Sequence, residues 1–275
     1  MKVAILYFSG TGVTAKFARD FAEGFIEKDH TVDFFRLKKG TDVELSSYDL
    51  IGLGSPAYSF RIPRLTSKII RKINFHNKPI FFFCTSGGMP GNAMWDLYRA
   101  SKKTAGVCLG RSEGIGITNL RSWMPKKKEE NVKLHGLERN FVEHAKKYPN
   151  EILKRLESWK TMKTKKVKKW IPYFNFQTLI WTWLFTWRWQ MAATVGIKRV
   201  DKEKCNNCKL CATKICPSGA IKLTQDDFPK FNEFKCIGCN GCVNLCPEDA
   251  IWTLQTRKRV QYNLYADYIL KEKTK

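Results

Sequence analysis

Eight of the ten cysteines fall between positions 205 and 246, in two runs, CNNCKLCATKICP and CIGCNGCVNLCP. Each run has three cysteines spaced two residues apart and a fourth followed by proline: Cys205, Cys208, Cys211 and Cys216, then Cys236, Cys239, Cys242 and Cys246. Three thiolates at that spacing can wrap an iron–sulfur cubane, because each short loop aims its sulfur at a different iron. The fourth lies too far round to close the same cubane. Zinc closes with four ligands, usually as two pairs, and a triple CxxCxxC with CP twice over is wasteful for it. The runs form an internal repeat: Cys205 recurs as Cys236, 31 residues on, and CPSGAI recurs as CPEDAI, 30 residues on.

Over about residues 198–255 this pattern resembles a bacterial-type two-cluster ferredoxin, in which the fourth cysteine of each run serves the other cluster. The resemblance implies a small α+β domain holding two [4Fe–4S] clusters. One would be held by Cys205, Cys208, Cys211 and Cys246, the other by Cys236, Cys239, Cys242 and Cys216. The chain departs from the family in the spacer ATKI, which has four residues where three are usual.

The other constellation with chemistry in it is Ser9-Gly10-Thr11-Gly12-Val13-Thr14. Glycines let the backbone turn so that successive N–H groups point inward. Three hydroxyls add donors, and a helix start favours an anion. This is a phosphate cradle with no lysine, so it is not a Walker loop, and no GxGxxG marks a dinucleotide site. The elements that must position it are readable on either side. KVAILYF, residues 2–8, reads as a buried strand, and Val13, Phe17, Phe21 and Phe25 follow at helical spacing. YDLIGLGSPAYSFRIP gives a second strand and loop. KPIFFFCTSGGMPGNAMWDLYRA gives a third strand, a glycine loop and a helix. Strands alternating with helices imply a doubly wound parallel sheet with its ligand crevice at the carboxyl ends of the strands. Cys84 and Cys108 sit at strand-like positions and read as buried small apolar residues.

Over roughly residues 1–157 these segments resemble flavodoxin. SGTGVT matches its FMN-phosphate loop, and GSPAYSF and TSGGMPGN match its two isoalloxazine loops. The resemblance implies FMN, with Ser9, Gly10, Thr11, Gly12, Val13 and Thr14 at the phosphate. Ser55, Pro56, Ala57 and Tyr58 would lie along the flavin, with Tyr58 stacked on or edging it. Thr85, Ser86, Gly87, Gly88 and Asn92 would bound its other side. Val13 stands where the family often has asparagine. In both halves and their order, the chain resembles the flavodoxin–ferredoxin fusion proteins of anaerobes. The organisation expected is residues 1–157 for the flavin domain, 158–197 as a connector, 198–255 for the ferredoxin and 256–275 as a basic tail. A last flavin-domain helix is expected over LERNFVEHAKKYPNEILKRLESW, with Pro149 as a point where it could break.

The 275-residue chain has a net charge of +24 and 43% hydrophobic residues, enough to bury a core. The charge is densest at residues 158–200, with nine basic and no acidic side chains. Such a surface attracts anions: nucleic acid, lipid head groups or an acidic protein. The basic residues follow no recognised nucleic-acid motif, so nucleic acid is not the expected partner. MKVAILYFSG is too short an apolar run for a signal peptide, so a cytoplasmic location with reduced thiols is expected.

WIPYFNFQTLIWTWLFTWRWQM, residues 170–191, holds five of nine tryptophans. Its uncharged run of 18 residues contains Pro172, Asn175, Gln177 and three threonines, which argues against a membrane span. The stretch could lie on an anionic membrane surface, led by the lysines of KTMKTKKVKKW. The preferred reading is a helical segment that docks the two domains together near the FMN. Function is expected to be electron transfer among FMN, two clusters and an outside redox partner, and the basic surface suits an acidic one. The alternative is a flavin-dependent reductase of a small organic substrate, fed by its own clusters. The oligomeric state is not legible.

Overall fold

The computed structural model describes residues 1–116, 139–161, 172, 174–178 and 195–271. Five strands, β1 (Lys2–Tyr7), β2 (Thr31–Arg36), β3 (Leu50–Pro56), β4 (Ile80–Ser86) and β5 (Cys108–Ile115), form one sheet in the order β2-β1-β3-β4-β5. Every pairing is parallel. This is the flavodoxin-like doubly wound order, whose switch point lies between β1 and β3. Helices α1 (Val13–Ile26), α2 (Arg64–Ile70), α3 (Ala93–Ser101) and α4 (Arg139–Thr161) cover its two faces.

Strand alternation builds a core on each face. Val3, Ile5 and Tyr7 of β1 join Phe81 and Phe83 of β4 under α1 and α4. Ala4, Leu6, Phe82 and Cys84 face the opposite way, toward α2 and α3. Phe17, Phe21 and Phe25, spaced along one stripe of α1, are fully buried. The Phe21 ring lies 5.3 Å from Phe83 and 5.4 Å from Tyr148 of α4. Gly52 and Gly54 of β3 make this packing possible, because a Cβ on either would lie within 2.4 Å of a Phe81 or Phe83 ring atom. Helix α4 runs on through Pro149.

The C-terminal part is small and internally repeated. Arg199–Val200 pairs antiparallel with Ile251–Trp252, and Ile221–Leu223 with Pro229–Phe231. Two short helices, Cys211–Ile215 (a π-helical turn) and Gly241–Leu245, occupy matching places in the two repeats. Their backbones match as well. Asn207 and Lys209 flank Cys208 with φ of 55° and 62°, and Gly238 and Asn240 flank Cys239 with φ of 68° and 56°. Left-handed residues on both sides of the middle cysteine are what turn each CxxCxxC loop back on itself.

The two parts share their cores. Cys239 and Ile237 pack into the α2–α3 side of the sheet. Ile215, Leu245 and Ile269 pack into the α1–α4 side. Among the described residues no helix is long and apolar enough to cross a membrane.

Candidate functional site

The cysteines gather in two sets. One void is lined by Cys205, Cys208, Cys211 and Cys246, and a second by Cys216, Cys236, Cys239 and Cys242. Each set takes three cysteines from one run and the fourth from the other. Among the described residues no three Cys, His, Asp or Glu side chains converge on a single-ion spacing. The four thiols of each set line one shared void. A cubane, which spreads its ligands over four irons, fits that donor set. Burial and the neighbouring thiols push Cys239 up to about 12 and Cys211 up to about 11.

The second void has a buried cation beside it. Lys198, only 3% exposed at its side chain, donates to Glu233 at 2.8 Å and to the Gly196 carbonyl at 3.3 Å. Burial works to lower its pKa, but the Cys236 and Glu233 charges outweigh burial and raise it. Backbone N–H groups also reach this set, from Ala220 to Cys216 Sγ (3.3 Å) and from Gly238 to Cys236 Sγ (3.4 Å). At the first void Cys208 is exposed to solvent.

The Ser9–Thr14 loop lies between the end of β1 and the start of α1, at the carboxyl edge of the sheet. Gly12 takes φ 100° and donates to Ser9 Oγ at 3.1 Å. The Thr14 and Thr85 hydroxyls lie 2.8 Å apart, tying this loop to the end of β4. Tyr58 rests edge-on against Phe8, and its hydroxyl would lie 2.8 Å from a Cβ on Gly10. Ser55 and Pro56 end β3, and the Ala57 N–H donates to the Thr85 carbonyl at 2.8 Å. Beyond Tyr58, Ser59 and Phe60 both have positive φ. Hydroxyls and N–H groups at a helix start are the donor type a phosphate monoester takes, although here the Gly12 N–H is given to Ser9 Oγ and the chain's own backbone lies against the loop.

The cover over this loop is the chain's own C-terminal part. A Cβ on Gly10 would lie 2.8 Å from the Cys239 carbonyl oxygen, and one on Gly12 would lie 2.0 Å from that of Tyr265. Ser9, Thr11 and Thr14 are therefore buried. Arg36, at the end of β2, fastens the two parts together. Its guanidinium donates to the Ser9 carbonyl at 3.2 and 3.3 Å, to Lys214 O at 2.9 Å and to Ile215 O at 3.2 Å. Neither Arg36 nor Tyr265 stood out in the sequence, because their roles depend on partners far along the chain.

The remaining loop is divided. Ser86 is half-buried, and Gly87 and Gly88 are exposed. Asn92, fully buried, donates to Asn175 O and Thr178 Oγ1, both at 3.0 Å, and its Oδ1 accepts from the Asn175 N–H at 2.8 Å. Phe174 meets Trp95 at 5.7 Å. The described part of the tryptophan-rich stretch thus seats on the Asn92 loop. Most of that stretch, Trp183 and Trp187 included, lies outside the described residues.

A family model described as a flavodoxin domain matches residues 4–111, and one described as a 4Fe-4S dicluster domain matches residues 204–251. Over 55 residues the chain is 40% identical to a component of the ion-translocating oxidoreductase complex of Methanosarcina acetivorans, covering 20% of each chain. It is 36% identical over 55 residues to an uncharacterized ferredoxin of Methanocaldococcus jannaschii, covering 19% of this chain and 70% of that one. The chain therefore spans only a fifth of the length of the first of these relatives. A solved structure similar to it is oxidised flavodoxin 2 from Bacillus cereus, at 16% identity and TM-score 0.41, covering 56% of this chain and 99% of the other.

Proposed function

Because the chain belongs to the flavodoxin–ferredoxin fusions, with a flavodoxin domain and a 4Fe-4S dicluster domain in one polypeptide, we propose that it couples one FMN to two [4Fe–4S] clusters and passes electrons to or from an outside redox protein. Electron transfer is the work of both kinds of domain. The flavodoxin domain implies FMN and the 4Fe-4S domain implies an iron–sulfur cluster.

FMN, when bound, supplies the exchange between two-electron and one-electron chemistry, whereas a cluster carries one electron. The chain's own residues supply placement. Ser9–Thr14 offers the phosphate donors, and Tyr58 and Thr85 stand beside them. Cys216, Cys236, Cys239 and Cys242 hold the inner cluster, and Cys205, Cys208, Cys211 and Cys246 the outer one. The observation that carries this reading is the seating of Cys239 against Gly10, which sets one cysteine group directly on the phosphate loop. The exposed Cys208 gives the outer group the face toward a partner. The net charge of +24 favours an acidic one.

Anaerobic purification with flavin, iron and sulfide analysis tests the composition. About one FMN and about eight irons per chain are expected, four for each cluster. A chain with four irons, or with zinc alone, contradicts the assignment.

A further inference from the structure

A cavity of about 680 Å³ lies where α2 and α3 meet the segment Phe234–Ile237. Its volume is within the range of about 300–1,000 Å³ typical of small-molecule sites. Of the residues expected along the flavin, Tyr58 lines it, whereas neither the Ser9–Thr14 loop nor the Thr85–Asn92 loop does. Seven Lys and Arg side chains line it against one carboxylate, Asp96. That carboxylate is already taken, bound through both oxygens by Arg61. Arg64, Lys68 and Arg71 are exposed along one side of α2 and its first following residue, at spacings of four and three. Arg99 of α3, Lys39 and Lys235 face the same space. Among the described residues none of these six has an acidic partner.

Six cations gathered without counter-charge repel one another, and an anion with several charges relieves that repulsion. The lining is not only cationic, since Ile62, Leu65, Phe234 and Ile237 give it apolar surface. An inorganic ion would use the cations and leave that surface wet. A molecule that joins phosphates to a flat apolar ring uses both. Cys236 lines this cavity and also the inner cysteine void, so an occupant would sit against a cluster ligand.

We propose that this cavity binds a phosphorylated aromatic molecule of nucleotide size, held by Arg64, Lys68, Arg71 and Arg99 and separate from the flavin-phosphate loop. Its charge would oppose the electron that enters the cluster at Cys236, so binding and the reduction potential of that cluster are linked.

The test uses the full chain with clusters and FMN loaded, and ADP and adenosine as probes in anaerobic calorimetry. ADP is expected to bind at one site per chain, and adenosine at least tenfold more weakly. The variant Arg64→Ala/Lys68→Ala/Arg71→Ala should weaken ADP at least tenfold while iron and flavin contents stay unchanged. Arg99→Ala, on a different helix, should weaken it at least threefold. ADP should also lower the potential of one cluster in an EPR-monitored titration, and not in the triple variant. Absence of ADP binding, ADP affinity unchanged in both variants, or equal binding of adenosine overturns the proposal. So does an unmoved potential with ADP bound.

Discussion

Gly10 and Cys239, 229 positions apart in the chain, are in such close contact that a single methyl group on Gly10 would come within 2.8 Å of the Cys239 carbonyl oxygen. The obstacle is backbone, not the end of a flexible side chain, so the two parts must separate to admit it. Gly10→Ala should cost about 1–3 kcal/mol of stability, the usual range for overpacking. Gly12→Ala should cost more. It adds the strain of φ 100° to a 2.0 Å approach to Tyr265 O. Chemical denaturation of both variants measures this; an unchanged midpoint for Gly12→Ala would mean that the Tyr265 contact is not formed.

Arg36 is the polar counterpart of that contact. Removing its guanidinium leaves carbonyls at Ser9, Lys214 and Ile215 without a donor they now have. An unsatisfied buried acceptor costs about 1–3 kcal/mol. Arg36→Ala should therefore destabilise the chain by about 3 kcal/mol, and Arg36→Lys should recover only part of it, because one ammonium cannot span the three carbonyls. The same denaturation experiment should show a separate, earlier transition for the C-terminal part in Arg36→Ala.

On the proposed assignment, the crossed cysteine sets would make two clusters separable. Cys239→Ala should lose the inner cluster and keep most of the outer one, and Cys208→Ala should do the reverse. Each variant should retain about half the iron of the parent. EPR of the reduced proteins distinguishes them, since the parent should show two interacting spins and each variant one.

The two cysteines outside the repeats should be inert. Burial pushes Cys108 up to about 12 and raises Cys84 as well. A raised thiol pKa means the folded state holds its proton more tightly than the unfolded state. The stability this contributes is complete below the unfolded value near 9 and is lost as pH rises from there toward about 12. At pH 8, iodoacetamide followed by mass spectrometry should find Cys84 and Cys108 unmodified in folded protein and alkylated after denaturation.

Much of this was written locally. The cysteine repeat has a spacing that few other chemistries need, and each of the two voids is lined by three cysteines of one run and the fourth of the other. Strands β1, β3 and β4 are continuous apolar runs buried on both faces. β2 and β5, TVDFFR and CLGRSEGI, are edge strands with charges mixed in and gave no comparable signal. Pro149 read as a possible break, yet α4 continues through it because packing of Tyr148 and Ile152 against the sheet holds both sides. Asn92 was expected beside the flavin from its loop; its engagement of Asn175 and Thr178 was not. That contact, like those of Arg36 and Tyr265, joins segments distant in the chain and has no periodicity to announce it.

On the proposed function, electrons cross between flavin and clusters inside one molecule, at the Gly10–Cys239 contact. Flash reduction of the flavin, followed by absorbance at flavin and cluster wavelengths over a tenfold range of protein concentration, tests it most directly. An intramolecular route predicts a first-order rate that is the same at every concentration, and a slower rate in Arg36→Ala with both cofactors still bound. A rate that rises in proportion to protein concentration would contradict it, because the two halves would then be exchanging electrons only when separate molecules collide.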